Sequence, residues 1–116
     1  MFKKLRTAVY HVQDLAAAKA WYTEATGVTP YFDEPFYAGF NINGFELGLD
    51  PDNTGITPGN QCYPFWSVDN IDESLRKLTS IGGEITQSKT NVGGPTFVAT
   101  VRDPFGNYIG LIEGAD

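Results

Sequence analysis

Thr7-Ala8-Val9-Tyr10-His11-Val12-Gln13-Asp14-Leu15 and Tyr63-Pro64-Phe65-Trp66-Ser67-Val68-Asp69-Asn70-Ile71 are two runs of one pattern. Val12 and Val68 lie 56 positions apart, and the same offset pairs Asp14 with Asn70, Leu15 with Ile71 and Gly27 with Gly83. Each run reads as a strand, a helix cap, a helix and a glycine stop. Two copies are too few to stack as a solenoid. The pattern therefore predicts a duplicated α+β module with pseudo-twofold symmetry.

Outward from these runs, the spacing predicts a first helix over 15–26. Asp14 is its N-cap, because a carboxylate can accept from the free N–H groups of the first turn. Leu15, Ala18, Tyr22 and Ala25 form one apolar stripe, and Gly27 suits a left-handed stop. A second helix is predicted over 71–81, with Asn70 and Glu73 as a capping-box pair and Gly82-Gly83 at its end. Strands are expected near 3–11, 29–32, 37–41, 45–49, 62–67, 83–87, 96–102 and 108–112. Asn43-Gly44 marks a two-residue hairpin. Asp103-Pro104-Phe105-Gly106-Asn107 marks a turn between the last two strands. The order β-α-β-β-β thus occurs twice, as module one over about 1–50 and module two over about 61–113. The stretch over about 51–60, rich in Pro, Gly and Asn, is expected to be a mobile linker. Together the 116 residues make one domain. The expected architecture is a cupped mixed β-sheet with the helices outside.

Composition narrows the function. Eight Lys and Arg against 14 Asp and Glu give a net charge of −6, which argues against nucleic acid and anionic membrane surfaces. No apolar run is long enough to span a bilayer, and no signal peptide is read at the start, so a cytoplasmic location is expected. One cysteine, Cys62, and one histidine, His11, exclude an intramolecular disulfide, a Cys-based zinc site and any multi-His site. Cys62 has no activating partner in the sequence and is expected to be a buried, inert thiol. Trp21 and Trp66 are expected as core beneath the helices. Phosphate loops, nucleophile elbows, paired-histidine metalloprotease motifs and EF-hand loops do not occur.

Several further motifs join the repeat: Trp21-Tyr22-Thr23-Glu24-Ala25-Thr26-Gly27, Ser67-Val68-Asp69-Asn70-Ile71, Gly82-Gly83 and Asp103-Pro104-Phe105-Gly106-Asn107-Tyr108. In this order the chain resembles the vicinal oxygen chelate superfamily, which includes glyoxalase I, bleomycin-resistance proteins and extradiol dioxygenases. The resemblance covers nearly the whole chain. For metal-dependent members it implies four ligands, two from each module, at positions matching Thr7, Glu46, Tyr63 and Gly110. Only Glu46 is an ordinary ligand type, and a dication wants three or four His or carboxylate groups. No metal and no other cofactor is therefore expected.

Strand alternation assigns what replaces it. Thr7, Val9 and His11 share one strand face, as do Tyr63, Phe65 and Ser67. On the last strand Tyr108, Gly110 and Ile112 share a face. The candidate ligand-binding residues are Thr7, Val9, His11, Glu46, Tyr63, Phe65 and Tyr108. Aromatic walls with a few polar groups make a small-molecule pocket. The leading expectation is a metal-free binding protein, resembling the bleomycin-resistance branch, that sequesters or carries an aromatic organic ligand, with cations favoured over anions. Arg102 would oppose that preference if it shares the same face. One alternative is an enzyme using Glu46, His11 or Tyr63 in acid–base chemistry. Others are a glyoxalase-like lyase with a divalent metal, and an interaction subunit with a filled cup. No catalytic residue is assigned. His11 also has a plain structural reading, as a strand-end histidine with a satisfied hydrogen bond. Paired modules of this size leave sheet faces and edges to cover, so a twofold homodimer is expected. Light scattering at micromolar concentration should give twice the mass of one chain; a clean monomer mass refutes this.

Overall fold

The computed structural model describes residues 1–57, 59 and 62–114. The elements run β1 (Thr7–His11), α1 (Leu15–Thr26), β2 (Phe32–Glu34), β3 (Tyr37–Ile42), β4 (Phe45–Asp50), β5 (Phe65–Ser67), α2 (Ile71–Ser80), β6 (Glu84–Gly93), β7 (Thr96–Arg102) and β8 (Tyr108–Glu113). The β-α-β-β-β order occurs twice, as expected. The chain divides into two compact units, Met1–Ile56 and Thr57–Asp116. Positions 58 and 60 of the expected linker, and position 61 at the expected start of module two, lie outside the described residues.

Each unit carries its own four-stranded mixed sheet. In the first the strand order is β1-β4-β3-β2, in the second β5-β8-β7-β6. The outer pair of each is parallel, β1 with β4 and β5 with β8, and the remaining pairs are antiparallel. A parallel neighbour needs a crossover connection, and the single helix begins that crossover in each unit. Tyr10, Val12, Ala38, Phe40, Leu47 and Leu49 are buried in the first unit together with Ala18, Trp21 and Tyr22 of α1. In the second unit Ala99, Val101, Ile109 and Leu111 are buried with Ile71, Leu75 and Leu78 of α2.

The local signals act as the chemistry of caps and turns requires. Asp14 accepts from the Ala17 N–H at 3.0 Å, and Gly27 closes α1 at φ 73° with its N–H on the Thr23 carbonyl. Asn70 accepts from the Glu73 N–H at 3.0 Å. Asn43 and Gly44 both have positive φ, 50° and 91°, the signature of a type I′ hairpin. At the last turn the buried Asp103 carboxylate accepts from the Phe105 and Asn107 N–H groups at 2.9 and 2.7 Å.

Three differences from the sequence reading have physical causes. Strand β2 is displaced to Phe32–Glu34, a short exposed edge. Strand β6 extends to Gly93, because pairing with β7 holds a wholly exposed edge strand that carries no hydrophobic alternation. Cys62 is exposed rather than buried: β5 begins only at Phe65, so alternation does not run back that far. Of the two tryptophans, Trp21 is buried, while Trp66 is half-buried and its Nε1 finds no hydrogen-bond partner among the described residues.

Because Asp14 supplies a first-turn acceptor, Asp14→Ala should cost about 0.5–2 kcal/mol of stability. Urea denaturation at neutral pH checks this; an unchanged midpoint would show that the cap contributes nothing.

Candidate functional site

The first unit concentrates its polar side chains on the sheet face opposite the buried one. Thr7 pairs with Glu46 in β1–β4 register, and Glu46 with Asn41 across the hairpin. Val9, Gly48 and Gly39 follow two residues along the same face. Glu46 is the centre of this face, with only 12% of its side chain exposed. Its Oε1 accepts from Thr7 Oγ1 at 3.0 Å and from Tyr37 Oη at 3.0 Å. Its Oε2 accepts from Tyr31 Oη. Arg6 stands at the rim, mostly exposed, with Nη1 3.8 Å from Oε1 and donating to Thr7 Oγ1 at 2.9 Å.

Two glycines make room for the two rings. A Cβ at Gly39 would lie 2.7 Å from Glu46 Oε2 and 3.2 Å from the Tyr31 ring. A Cβ at Gly48 would collide with the Tyr37 hydroxyl. The tyrosines therefore pass over bare backbone and aim their hydroxyls at one carboxylate.

The electrostatics follow from these bonds. The Tyr31 hydroxyl, chiefly, holds the Glu46 carboxyl below the usual carboxylate range, with Thr7, Tyr37 and Arg6 adding to the effect against a burial cost. Burial and the bond to Glu46 push the Tyr37 phenol up to about 12. The bond to Glu46 raises Tyr31 as well. At neutral pH the set is one anion and two neutral phenols.

Among the candidates from sequence, Thr7 and Glu46 are brought into direct contact. Val9 is on the same face and exposed. His11 is at the strand's far end, where Nδ1 donates to the Asp52 carbonyl at 2.8 Å; this is the satisfied strand-end histidine. In the second unit Tyr63, Phe65 and Tyr108 form a ring cluster, with centroids 5.5 Å apart for Tyr63–Phe65 and 5.9 Å for Tyr63–Tyr108. Phe65 is 49% exposed, and its ring fills the space where a Gly110 Cβ would be, at 2.6 Å. Arg102 pairs in register with Tyr108, so it shares that face, where Glu84 neutralises it at 3.1 Å.

The sequence reading missed Tyr31 and Tyr37. Tyr37 was within reach: the Asn43-Gly44 turn pairs Asn41 with Glu46, and two steps of two residues place Tyr37 on that face. Tyr31 precedes β2, with its N–H on the Gly39 carbonyl at 2.9 Å, and no periodicity points to it.

The backbone register also corrects one equivalence. Glu46 and Gly110 do not hold matching places in the two modules. Val12 donates to the Asp50 carbonyl as Val68 does to that of Ile112. Counted from there, Gly110 matches Gly48, and Glu46 matches Tyr108. The residues do not fit the divalent metal that the resemblance implies for some relatives. Glu46 is already occupied by three hydroxyls, and Gly110 offers no donor atom and no space for one. Among the described residues, no three of His, Cys, Asp or Glu are grouped to hold a metal ion.

Residues 4–111 match the model of the glyoxalase/bleomycin resistance protein/dioxygenase superfamily, and the chain belongs to that family. A lactoylglutathione lyase of Escherichia coli O157:H7 is 37% identical over 73 residues, which is 62% of this chain and 52% of that protein. The chain thus spans about half the length of the curated relatives it matches. Two solved structures share the fold. One is the genomically encoded fosfomycin resistance protein FosX from Listeria monocytogenes (TM-score 0.83, 15% identity, covering 99% of this chain and 96% of that one). The other is a glyoxalase/bleomycin resistance protein/dioxygenase family enzyme from Burkholderia phytofirmans (TM-score 0.82, 15% identity, 96% and 98%).

The pKa directions set a pH dependence. Glu46 is lowered in the folded state, so its stabilisation is present above the unfolded carboxyl pKa and is lost as pH falls through the folded value. Tyr37 is raised, so its contribution is present below its ordinary value of 10.0 and is lost as pH rises toward about 12. Absorbance titration at about 295 nm, where phenolate absorbs, should show a late-ionising tyrosine that Tyr37→Phe removes and Glu46→Gln moves earlier. Ionisation of all six tyrosines at the ordinary phenol value would refute the bonding to Glu46.

Proposed function

We propose that this chain is a small-molecule-binding protein of its superfamily. It carries or sequesters an aromatic organic ligand bearing a hydrogen-bond donor, ammonium groups favoured over carboxylates, without a metal. The observation that carries this reading is the cluster around Glu46. Its three hydroxyls spend their protons on the carboxylate, so these side chains present oxygen lone pairs around a negative charge, which the exposed Arg6 at the rim, 3.8 Å from Oε1, partly offsets. Such a surface accepts N–H and O–H groups and keeps a modest preference for cations over anions. On the same face of the first unit, the exposed ring of Phe32, in register with Gly39 and 6.2 Å from the Tyr37 ring, supports an aromatic ligand, since a cation over such a ring gains about 0.5–2 kcal/mol.

The identity to a lactoylglutathione lyase favours a second reading, a lyase-like enzyme using Glu46, His11 or Tyr63 with or without a divalent metal. Against it, a carboxylate held ionised by three hydroxyls is a weak proton acceptor.

Calorimetry with 2-naphthylmethylammonium, 2-naphthylmethanol and 2-naphthoate should rank them in that order. Glu46→Gln should weaken the cation about tenfold, a loss of about 1.4 kcal/mol, and Phe32→Ala should weaken all three. Tighter binding of the naphthoate, or indifference to both substitutions, refutes the proposal. One equivalent of transition metal per chain after dialysis, lost in Glu46→Ala, would favour the lyase reading instead.

A further inference from the structure

The two oxygens of Glu46 are held very differently. Oε1 accepts from Thr7 and Tyr37, with Arg6 at 3.8 Å. Thr7 and Tyr37 stand on paired strands of the sheet, and Tyr37 is half-buried. Among the described residues, Oε2 accepts from Tyr31 alone. Tyr31 lies outside any strand and is 59% exposed. Its ring covers Gly39, which has no side chain, and no side chain could be placed there without meeting both Oε2 and the ring.

Resting on the reading of the chain as a small-molecule-binding protein, we propose that Oε2 is the ligand's anchor and that the Tyr31 phenol is a stand-in for it. The ligand class is an aromatic ring carrying an ammonium or N–H donor at a short reach, which copies what Tyr31 presents. The physical basis is the cost of an unpaired, largely desolvated carboxylate oxygen. A buried charge must keep its donors, so Oε2 cannot stand bare in the unliganded protein. The phenol satisfies it from an exposed position, with its backbone N–H on the Gly39 carbonyl and the Arg6 guanidinium beside its hydroxyl. A ligand's ammonium replaces a neutral donor by a charged one, which makes the stronger bond. When the Tyr31 ring swings out, it uncovers Gly39, whose flat backbone is a floor for the ligand's ring. The Thr7–Tyr37 side of the carboxylate stays in place throughout and sets its orientation. Tyr31 therefore weakens ligand binding by competition, whereas Tyr37 strengthens it by positioning.

The test uses benzylammonium as probe, with toluene and p-cresol for comparison, on the full chain. Binding is read by calorimetry, and folding by thermal unfolding. Tyr31→Ala should bind benzylammonium about tenfold more tightly than the unsubstituted protein does, a gain of about 1.4 kcal/mol. Tyr31→Ala/Glu46→Gln should lose that gain, and Tyr37→Phe should bind more weakly than the unsubstituted protein. The Tyr31→Ala variant should also take up p-cresol, its own missing side chain, in preference to toluene. Tyr31→Phe, which frees Oε2 but leaves the ring over Gly39, should show a smaller gain that still depends on Glu46. It carries the test if Tyr31→Ala does not fold. Equal, Glu46-dependent affinity in the unsubstituted protein and both Tyr31 variants overturns the stand-in role and leaves the small-molecule reading intact. Absence of Glu46-dependent binding in every variant overturns both.

Discussion

An ionised carboxylate on a sheet face, nearly closed off from water, dictates the arrangement of its surroundings. Glu46 can stay charged there only if enough donors reach it, since desolvating an unpaired charge costs several kcal/mol. Thr7 is the parallel partner in register, so β1 cannot slip along β4 without losing that bond. A slip of one residue would also turn Tyr10 and Val12 out of the core. Tyr37 and Tyr31 must cross the sheet to reach the same carboxylate. They do so only because Gly48 and Gly39 leave the surface between them flat. Two bare backbone positions, two rings and one hydroxyl are thus consequences of a single charge.

The second unit solves the same backbone problem without a charge. Tyr108 stands where Glu46 does, and its ring packs against that of Tyr63. The polar part of that face is displaced outward, to the Arg102–Glu84 pair on β7 and β6. The duplicated modules have therefore kept caps, register and core while dividing their surface chemistry, one sheet holding an anion and its donors and the other an aromatic cluster.

The parts of this molecule that were legible in the sequence are those governed by local chemistry. Asp14 and Asn70 announce both helices because capping is decided within one turn. Asn43-Gly44 announces the hairpin because few other residues take its backbone angles. The candidate site was half legible. The family resemblance pointed to Thr7 and Glu46, and hairpin arithmetic would have added Tyr37. Tyr31 was out of reach because its position follows from a tertiary contact with Gly39 and Glu46, not from a repeat. β6 escaped for a related reason: an exposed strand is placed by its partner, and its own side chains carry no periodic record of that. Cys62 escaped because β5 starts only at Phe65, so the alternation read across it does not apply.

The filled glycines have an evolutionary consequence. Tyr37 covers Gly48 from β3, while Phe65 covers Gly110 from β5 itself. The matching bare positions in the two repeats are thus plugged from different strands. Any larger residue at 48 or 110 first meets an aromatic ring, so a liganding side chain gained there must displace that ring. Changes at the glycine and at its ring are therefore coupled, and such pairs are non-additive. Because the ring differs between the repeats, each repeat carries its own coupling.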